Sequence, residues 1–284
     1  MLLDVQSLVT NAGPLASLPA VHARLNEALD DPRATATAIA DIISEDTGLT
    51  ARLLRLVNSP FYGFSGRVDT ISRAVVLVGT QQISDLALAT CIMRMFEGIP
   101  ARFVDMGAFW LHGLATGTAA RVIGMRRGET HVERLFVAGV LHDVGRLLIY
   151  RGLPDLARDI LGHGGEGDLL IDVERKLLGF DHAEVGGELL QRWQVPGGLA
   201  DAVAYHHRPE LDPDDGSASA TIHLADIVAH VLEAGSSGER RVPPLDEEAW
   251  RRLGLPVSAL APVVEQTRRN LEGARSLAAP GAAA

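Results

Sequence analysis

Cysteine is nearly absent from this chain of 284 residues, where Cys91 stands alone. A lone thiol excludes an internal disulfide, and its setting in the apolar run "LALATCIMRMF" predicts an inert core side chain. Aromatic residues are scarce too, at 5%. Against that background Phe61, Tyr62 and Phe64 cluster in the loop "VNSPFYGFSGRVDT". They suit an interaction surface or a plug between two halves of the fold; the second reading is preferred because rings contribute large buried areas. Trp110 and Trp193, at helical spacing, are expected in the core. No apolar run reaches the length of a membrane span. The opening "MLLDVQSLVTNAGPL" carries Asp4 and lacks the basic region and cleavage site of a secretory signal, so a cytoplasmic protein without a membrane partner is expected. Basic residues are outnumbered, 26 against 36, and a net charge of −10 repels a phosphate backbone.

What is present is helix signal. Apolar residues make up 47% of the chain, recurring at three- and four-residue spacing between Gly, Pro and capping residues. Helices are expected at "AVHARLNEALD", "TATAIADIISED", "LTARLLRLVNS", "TISRAVVLVG" and "TQQISDLALATCIMRMF", separated by Pro32, Gly48, Pro60 and Gly79. These form a first half, residues 1–100. The segment "EGIPARFVD" leads into a second half, 101–235, with helices at "MGAFWLHGLATGTAARVIG", "HVERLFVAGVLHDVGRLLIY", "LPDLARDILGHG", "LLIDVERKLLG", "HAEVGGELLQRW", "GGLADAVAYHH" and "SATIHLADIVAHVLEAG". A loop "SSGERRVPPLDEE" and late helices make a C-terminal extension over 236–275, and 276–284 is a tail too rich in small residues to pack. No strand pattern competes, so the fold class is all-α.

The chemistry-bearing residues gather in the second half. His112, the pair His142–Asp143, His182, the pair His206–His207, and Asp226 each fall on a separate expected helix or at its end. Imidazoles and carboxylates suit Mn, Fe, Ni or Zn, and a bundle assembles them when several helices each turn one inward. His142 and Asp143, as neighbours, project about 100° apart around a helix. Both reach one ion only at a helix end or an interhelical cleft, and Gly145 gives room for such an approach. Asp181 and Glu184 match a capping box, which puts His182 in the first turn of its helix, where a surface position is the alternative. His206 and His207 close a helix before Arg208–Pro209, where the helix dipole favours a protonated imidazole without a metal. Asp226 shares a face with His223 and His230, and a histidine partner would satisfy it unaided. Singly, each residue has an ordinary structural reading; the set favours a metal.

The order of these residues resembles the HD superfamily of metal-dependent phosphohydrolases, specifically its HDOD branch. The resemblance covers roughly residues 14 to 230, through "LPAVHARLNEALDDP", "LLRLVNSPFYGF", "TISRAVVLVGTQQISDLAL", "LHDVGRLL", "LGFDHAEVGGELLQRWQVP" and "AYHHRPE". It implies a two-lobed helical bundle with an HD-like second lobe. It also implies a regulatory role in bacterial signalling through contact with other signalling proteins, usually without an established enzymatic activity. Carried over position by position, His112, His142, Asp143 and Asp226 would hold a first ion, with Asp143 able to bridge, and His182, His206 and His207 a second. In the related HD-GYP phosphodiesterases an acidic ligand precedes the first histidine by one turn; Ala108 stands there in this chain. Those enzymes continue His-Asp with Gly-Lys and follow His-His with Glu and Gly-Tyr-Pro, against Gly145–Arg146 and "HHRPELDPDD" here. Regulatory binding is therefore the primary expectation. Hydrolysis of a nucleotide or cyclic dinucleotide is the alternative, in which a metal would acidify water beside Asp143 and Arg146 would touch phosphate.

A third reading comes from "IADIISEDTGLTARLLRLVNS", which resembles a helix-turn-helix with Thr50, Arg52 and Arg55 on its second helix. Asp41, Glu45 and Asp46 place negative charge where such a module would approach phosphates, so nucleic-acid binding is not expected.

Overall fold

A computed structural model describes residues 4–17, 20–31, 33, 35–59, 62–96, 99–163, 167–195 and 198–274. The expected tail over 276–284, and the positions of Pro32, Pro60 and Phe61, lie outside the described residues. Among those described there are sixteen α-helices and no strand, as the periodicity predicts. They are α1 (Val5–Thr10), α2 (Ala20–Asp30), α3 (Ala36–Ser44), α4 (Thr47–Val57), α5 (Ile71–Val78), α6 (Thr80–Met95), α7 (Met106–Arg127) and α8 (Val132–Leu141). There follow α9 (Val144–Gly152), α10 (Pro154–His163), α11 (Leu170–Leu178), α12 (His182–Arg192), α13 (Leu199–Ala204), α14 (Ser217–Val231), α15 (Glu247–Leu253) and α16 (Leu260–Ala274). No single helix among the described residues is long and apolar enough to cross a membrane.

Side-chain caps set many of the starts. Thr35, Asp46, Thr70, Asp105, Asp181 and Asp246 each accept a hydrogen bond from a backbone N–H in the first turn of the helix they precede. Such a cap contributes about 1 kcal/mol. The first lobe packs α2 to α5 around α6, whose residues Ile83 to Ile92 are buried on every face. The second lobe is built around α7, which packs against α8, α14 and α16 and is likewise buried nearly all round. Gly117 and Gly139 let α7 and α8 touch backbone to backbone, since a Cβ on Gly139 would lie 2.6 Å from the Gly117 Cα. Leu8 and Val9 bury α1 against α9 and α12 of the second lobe, so the amino-terminal helix crosses from one lobe to the other.

Trp110, Trp193 and Cys91 are buried, as expected. Tyr62 and Phe64 stack at 5.7 Å, and Arg121 of α7 lies over the Tyr62 ring, which puts these rings where the lobes meet. The helix pair α3–α4 is tied into the first lobe by its acidic residues. Glu45 binds Arg24 of α2, and Asp46 caps α4 while binding Arg94 of α6 at 2.8 Å.

The largest departure from expectation is at residues 131–150. One continuous helix is expected there, and two are found, with His142 and Asp143 in the break. The His142 ring caps the end of α8 through Nδ1–H to the Gly139 carbonyl at 2.8 Å. The chain restarts when the Arg146 N–H reaches the Asp143 carbonyl at 2.9 Å. The break removes the constraint of helical angular spacing and lets both side chains turn to the same point.

Candidate metal centre

Five parts of the second lobe converge there. α7 supplies His112, the α8–α9 break His142 and Asp143, the start of α12 His182, the turn after α13 His206 and His207, and α14 Asp226. All but His207 are at most 5% exposed. Gly145 creates the approach in a way the sequence only partly suggests. A Cβ there would sit 2.0 Å from the His182 carbonyl oxygen and 2.7 Å from the Gly186 nitrogen. The glycine thus makes room for the backbone of α12, and this contact brings His182 to Asp143.

Asp143 lies between two sets of imidazoles. Its Oδ2 is 3.2 Å from His142 Nε2 and 3.7 Å from His112 Nε2, while its Oδ1 is 3.0 Å from His182 Nε2. Asp226 Oδ1 completes the first set, 3.0 Å from His112 Nε2 and 3.5 Å from His142 Nε2. In the second, His207 Nε2 lies 3.1 Å from His182 Nε2. Ligand-capable atoms of His112, His142 and Asp226 lie within 4.8 Å of one another, as do those of His182, His206 and His207 and those of His142, Asp143 and His206.

Hydrogen bonds on the far sides of the rings fix which nitrogen faces the centre. A carbonyl or carboxylate can only accept, so the Nδ1 atoms of His142, His182 and His206 are donors, to Gly139 O, to Glu174 Oε2 at 2.6 Å, and to Val203 O at 2.7 Å. Their Nε2 atoms point inward. The Nε2 atoms of His112, His142 and His206 and the Oδ1 of Asp226 are buried without a hydrogen-bond partner. Four such atoms facing one another would each cost about 1–3 kcal/mol if left so. Divalent cations bound among them would satisfy them, and the nitrogen–oxygen donor set suits Mn, Fe, Ni or Zn.

The electrostatics agree. Burial opposes ionisation of Asp143, but Arg146 and His142 outweigh it and hold the carboxyl well below its ordinary range. Asp226 is likewise held low against burial by the imidazoles of His112 and His142 beside it. Burial alone would lower His142 and His182, yet the carboxylates around them push them up to about 10 and about 9. His206 goes the other way, down to about 3, through burial and then the neighbouring charges of His142 and His182. A protonated helix-end imidazole, the alternative for that pair, is therefore disfavoured.

Further residues belong to the site. Glu174 of α11, 1% exposed, accepts from both the Nδ1–H and the backbone N–H of His182. Its signal in the sequence was a carboxylate on the apolar face formed by Leu170, Val173 and Leu178. His230, one turn beyond Asp226, places Nε2 3.4 Å from Asp226 Oδ1. His223, on the same helix face, is not free to bind a metal. Its Nδ1–H donates to His206 O and its Nε2 accepts from Asp246 N. Asp181 caps α12 as expected, but Glu184 turns to Arg208 at 2.6 Å, and the fully buried His182 is no surface residue. Arg146, on the first turn of α9, sits with Nε 3.1 Å from Asp143 Oδ1 and has a buried Nη1 with no hydrogen-bond partner. Ala108, where the related enzymes carry an acid, offers only its backbone carbonyl, taken by the Ser236 N–H at 3.1 Å. A cavity of about 430 Å³ adjoins the centre, lined among others by Asp143, Arg146, Arg175, His207, Asp226 and His230.

Comparison with known proteins matches this geometry to a family. The sequence model of the HDOD domain matches residues 15–209. A Treponema pallidum (strain Nichols) protein is 23% identical over 242 residues, which cover 84% of this chain and 46% of the relative, so the chain spans about half the length of that relative. The crystal structure of an HDOD domain protein of unknown function from Geobacter sulfurreducens superposes with a TM-score of 0.73 at 24% identity, covering 97% of this chain and 98% of the other. One from Shewanella amazonensis SB2B, whose name gives it provisionally as a phosphohydrolase, superposes with a TM-score of 0.75 at 25% identity, covering 96% and 98%. With the domain matched over well more than half of its length, the chain belongs to the HDOD domain family.

Proposed function

We propose that the second lobe binds two divalent transition-metal ions and uses them to hydrolyse a phosphoester, in a protein that serves signal transduction. The observation that carries this reading is Asp143, whose two carboxylate oxygens face separate histidine sets with inward Nε2 atoms. His112, His142, Asp143 and Asp226 would hold one ion, and Asp143, His182, His206 and His207 the other. Bound there, the ions would polarise a phosphoryl oxygen and make water acidic enough to attack at neutral pH. Arg146 lines the cavity beside Asp143, where a phosphate oxygen could accept from its guanidinium. Glu174 holds His182 in the tautomer that binds metal and raises its basicity.

Elemental analysis of protein prepared without a histidine tag is expected to find about two ions per chain. Turnover on a panel of phosphomonoesters, nucleotides and cyclic dinucleotides should disappear in Asp143→Ala. Protein that takes up no metal would overturn the reading. A second reading, regulation through contact with a signalling protein, is favoured by the first lobe. A groove of about 870 Å³ runs there between α4 and residues 64–69, and Val76 and Leu77 of α5 are exposed. Metal-loaded protein without turnover on the whole panel would favour that reading.

A further inference from the structure

One wall of the cavity beside the metal centre comes from outside the HDOD domain. The segment joining α14 to α15 lies beyond residues 15–209, and its Glu239, Pro243, Pro244, Leu245 and Asp246 line the cavity together with Asp143 and Asp226. The buried carboxylates and Arg146 mark the deep end, and Leu245, 42% exposed, marks the mouth.

The wall is held at both ends. Near its start Ser236 N–H donates to Ala108 O, and the Tyr150 hydroxyl donates to Ser237 O at 2.9 Å. The Glu239 carboxylate gathers the N–H groups of Leu170, Arg240 and Arg241 at 2.7–3.0 Å, fastening the segment to the beginning of α11. At the far end Asp246 N–H donates to His223 Nε2 at 3.0 Å, and the other ring nitrogen of His223 donates to the carbonyl of His206. His223 is therefore a strut between the metal-ligand turn and the wall. Pro243 and Pro244 stiffen the span between these anchors by fixing their φ angles. A wall so braced sets the size of the cavity, and about 430 Å³ is near the small end of the range for ligand pockets, about 300–1,000 Å³.

The chemistry along the cavity is graded. The deep end offers the Arg146 guanidinium beside Asp143, a match for one phosphate. At the other end Pro243, Pro244 and Leu245 present apolar surface next to Asp172 and Asp246. Arg175, the second cation in the lining, is committed to Asp181 at 2.8 Å. We propose that the segment 239–246 restricts the centre to a phosphate-bearing ligand of mononucleotide size. The phosphate lies at Arg146 and the ring against Pro243 to Leu245, and cyclic dinucleotides, whose second phosphate would meet the acidic, apolar end, are excluded. This rests on the metal reading above and adds to it the class of ligand.

The test uses the full chain loaded with Mn(II), its metal content measured first, with GMP and cyclic di-GMP as probes in equilibrium dialysis. The wild-type protein is expected to bind GMP at least about tenfold more tightly than cyclic di-GMP, a discrimination of the size a steric wall supplies. The variants P243G/P244G and L245A should each narrow that ratio severalfold; L245A alters an exposed side chain and serves if the double variant does not fold. EDTA should strip metal from P243G/P244G, or from L245A in its place, several times faster than from wild type, a readout that needs no nucleotide. Equal binding of the two probes, a ratio that no folded variant moves, or loaded protein that binds neither would overturn the proposal alone. Protein that takes up no metal overturns the metal reading, and this one with it.

Discussion

Replacing Glu174 by glutamine isolates the charge behind one metal ligand. In the native site one oxygen, Oε2, accepts from both His182 Nδ1–H at 2.6 Å and His182 N–H at 2.9 Å. A glutamine oxygen placed there keeps both hydrogen bonds and the shape. What changes is the negative charge that raises the basicity of the ring, and an amide NH₂ now faces Arg146 Nε where a carboxylate oxygen stood 3.8 Å away. Loss of such an outer partner costs metal affinity roughly 10- to 100-fold, or about 1.4–2.7 kcal/mol. The loss should fall on the ion held by His182, His206 and His207, because His182 is the ligand that Glu174 hydrogen-bonds, while the ion held by His112, His142 and Asp226 should weaken less than about threefold. Stepwise titration of tag-free apoprotein against a chromophoric chelator separates the two affinities, and circular dichroism checks that the variant is folded. Two unchanged affinities would refute the role given to Glu174. An equal loss at both steps would also refute it, since only a general disturbance of the lobe acts on both sets alike.

Metal uptake should be coupled to protons. The carboxylates around them push His142 up to about 10 and His182 up to about 9, so a metal reaching their Nε2 atoms at pH 7 displaces protons. Affinity should therefore rise with pH until it passes those values, with release of about two protons per chain, read by calorimetry in buffers of different ionisation enthalpy; no release at pH 7 would count against the arrangement. Gly145→Ala drives a Cβ into the backbone of α12, where no side chain can swing aside, and should cost about 3 kcal/mol or more, lowering Tm by roughly 6–12 °C. A melting point within about 1 °C of wild type would show that α9 and α12 do not approach as described. Burial pushes the Cys91 thiol up to about 11, so it should resist a thiol reagent at pH 8 in the folded protein and react promptly in denaturant; fast reaction in the native state would place it elsewhere.

The parts of this molecule legible in its sequence are those that depend on local pattern or on order along the chain. Apolar periodicity and caps such as Thr35, Asp46 and Asp105 are local, and the helices appear close to where they point. The seven candidate ligands could be chosen because they mark five different helices or helix ends, and the fold brings all seven to one place. Distance in the chain hid the rest. Glu174 is eight residues from the ring it supports and reads as a helix-surface acid unless its apolar flanks are weighed. His223 and His230 flank Asp226 at equivalent helical spacing, yet one braces a wall and the other approaches the centre. What separates them is the main chain of residues 206 and 246, which engages both nitrogens of His223 and neither of His230.

The break at His142–Asp143 shows why pattern alone misplaces such a site. Its flanks, Leu135 to Leu141 and Val144 to Ile149, are apolar apart from Arg146, and neither Pro nor a capping Ser or Thr marks an end. The interruption is made by the site itself. The His142 ring takes the Gly139 carbonyl, and Asp143 turns away from a helical course toward three histidines. The apolar periodicity on both sides favours one continuous helix. Pairing a buried carboxylate with its partners outweighs that preference, because leaving it unpaired would cost several kcal/mol. If so, Asp143→Ala removes the reason for the break as well as a ligand. The α8–α9 junction in that variant should gain helical character, visible as slower amide exchange at residues 142–146. Exchange as fast as in wild type would mean that the backbone bends there for another cause.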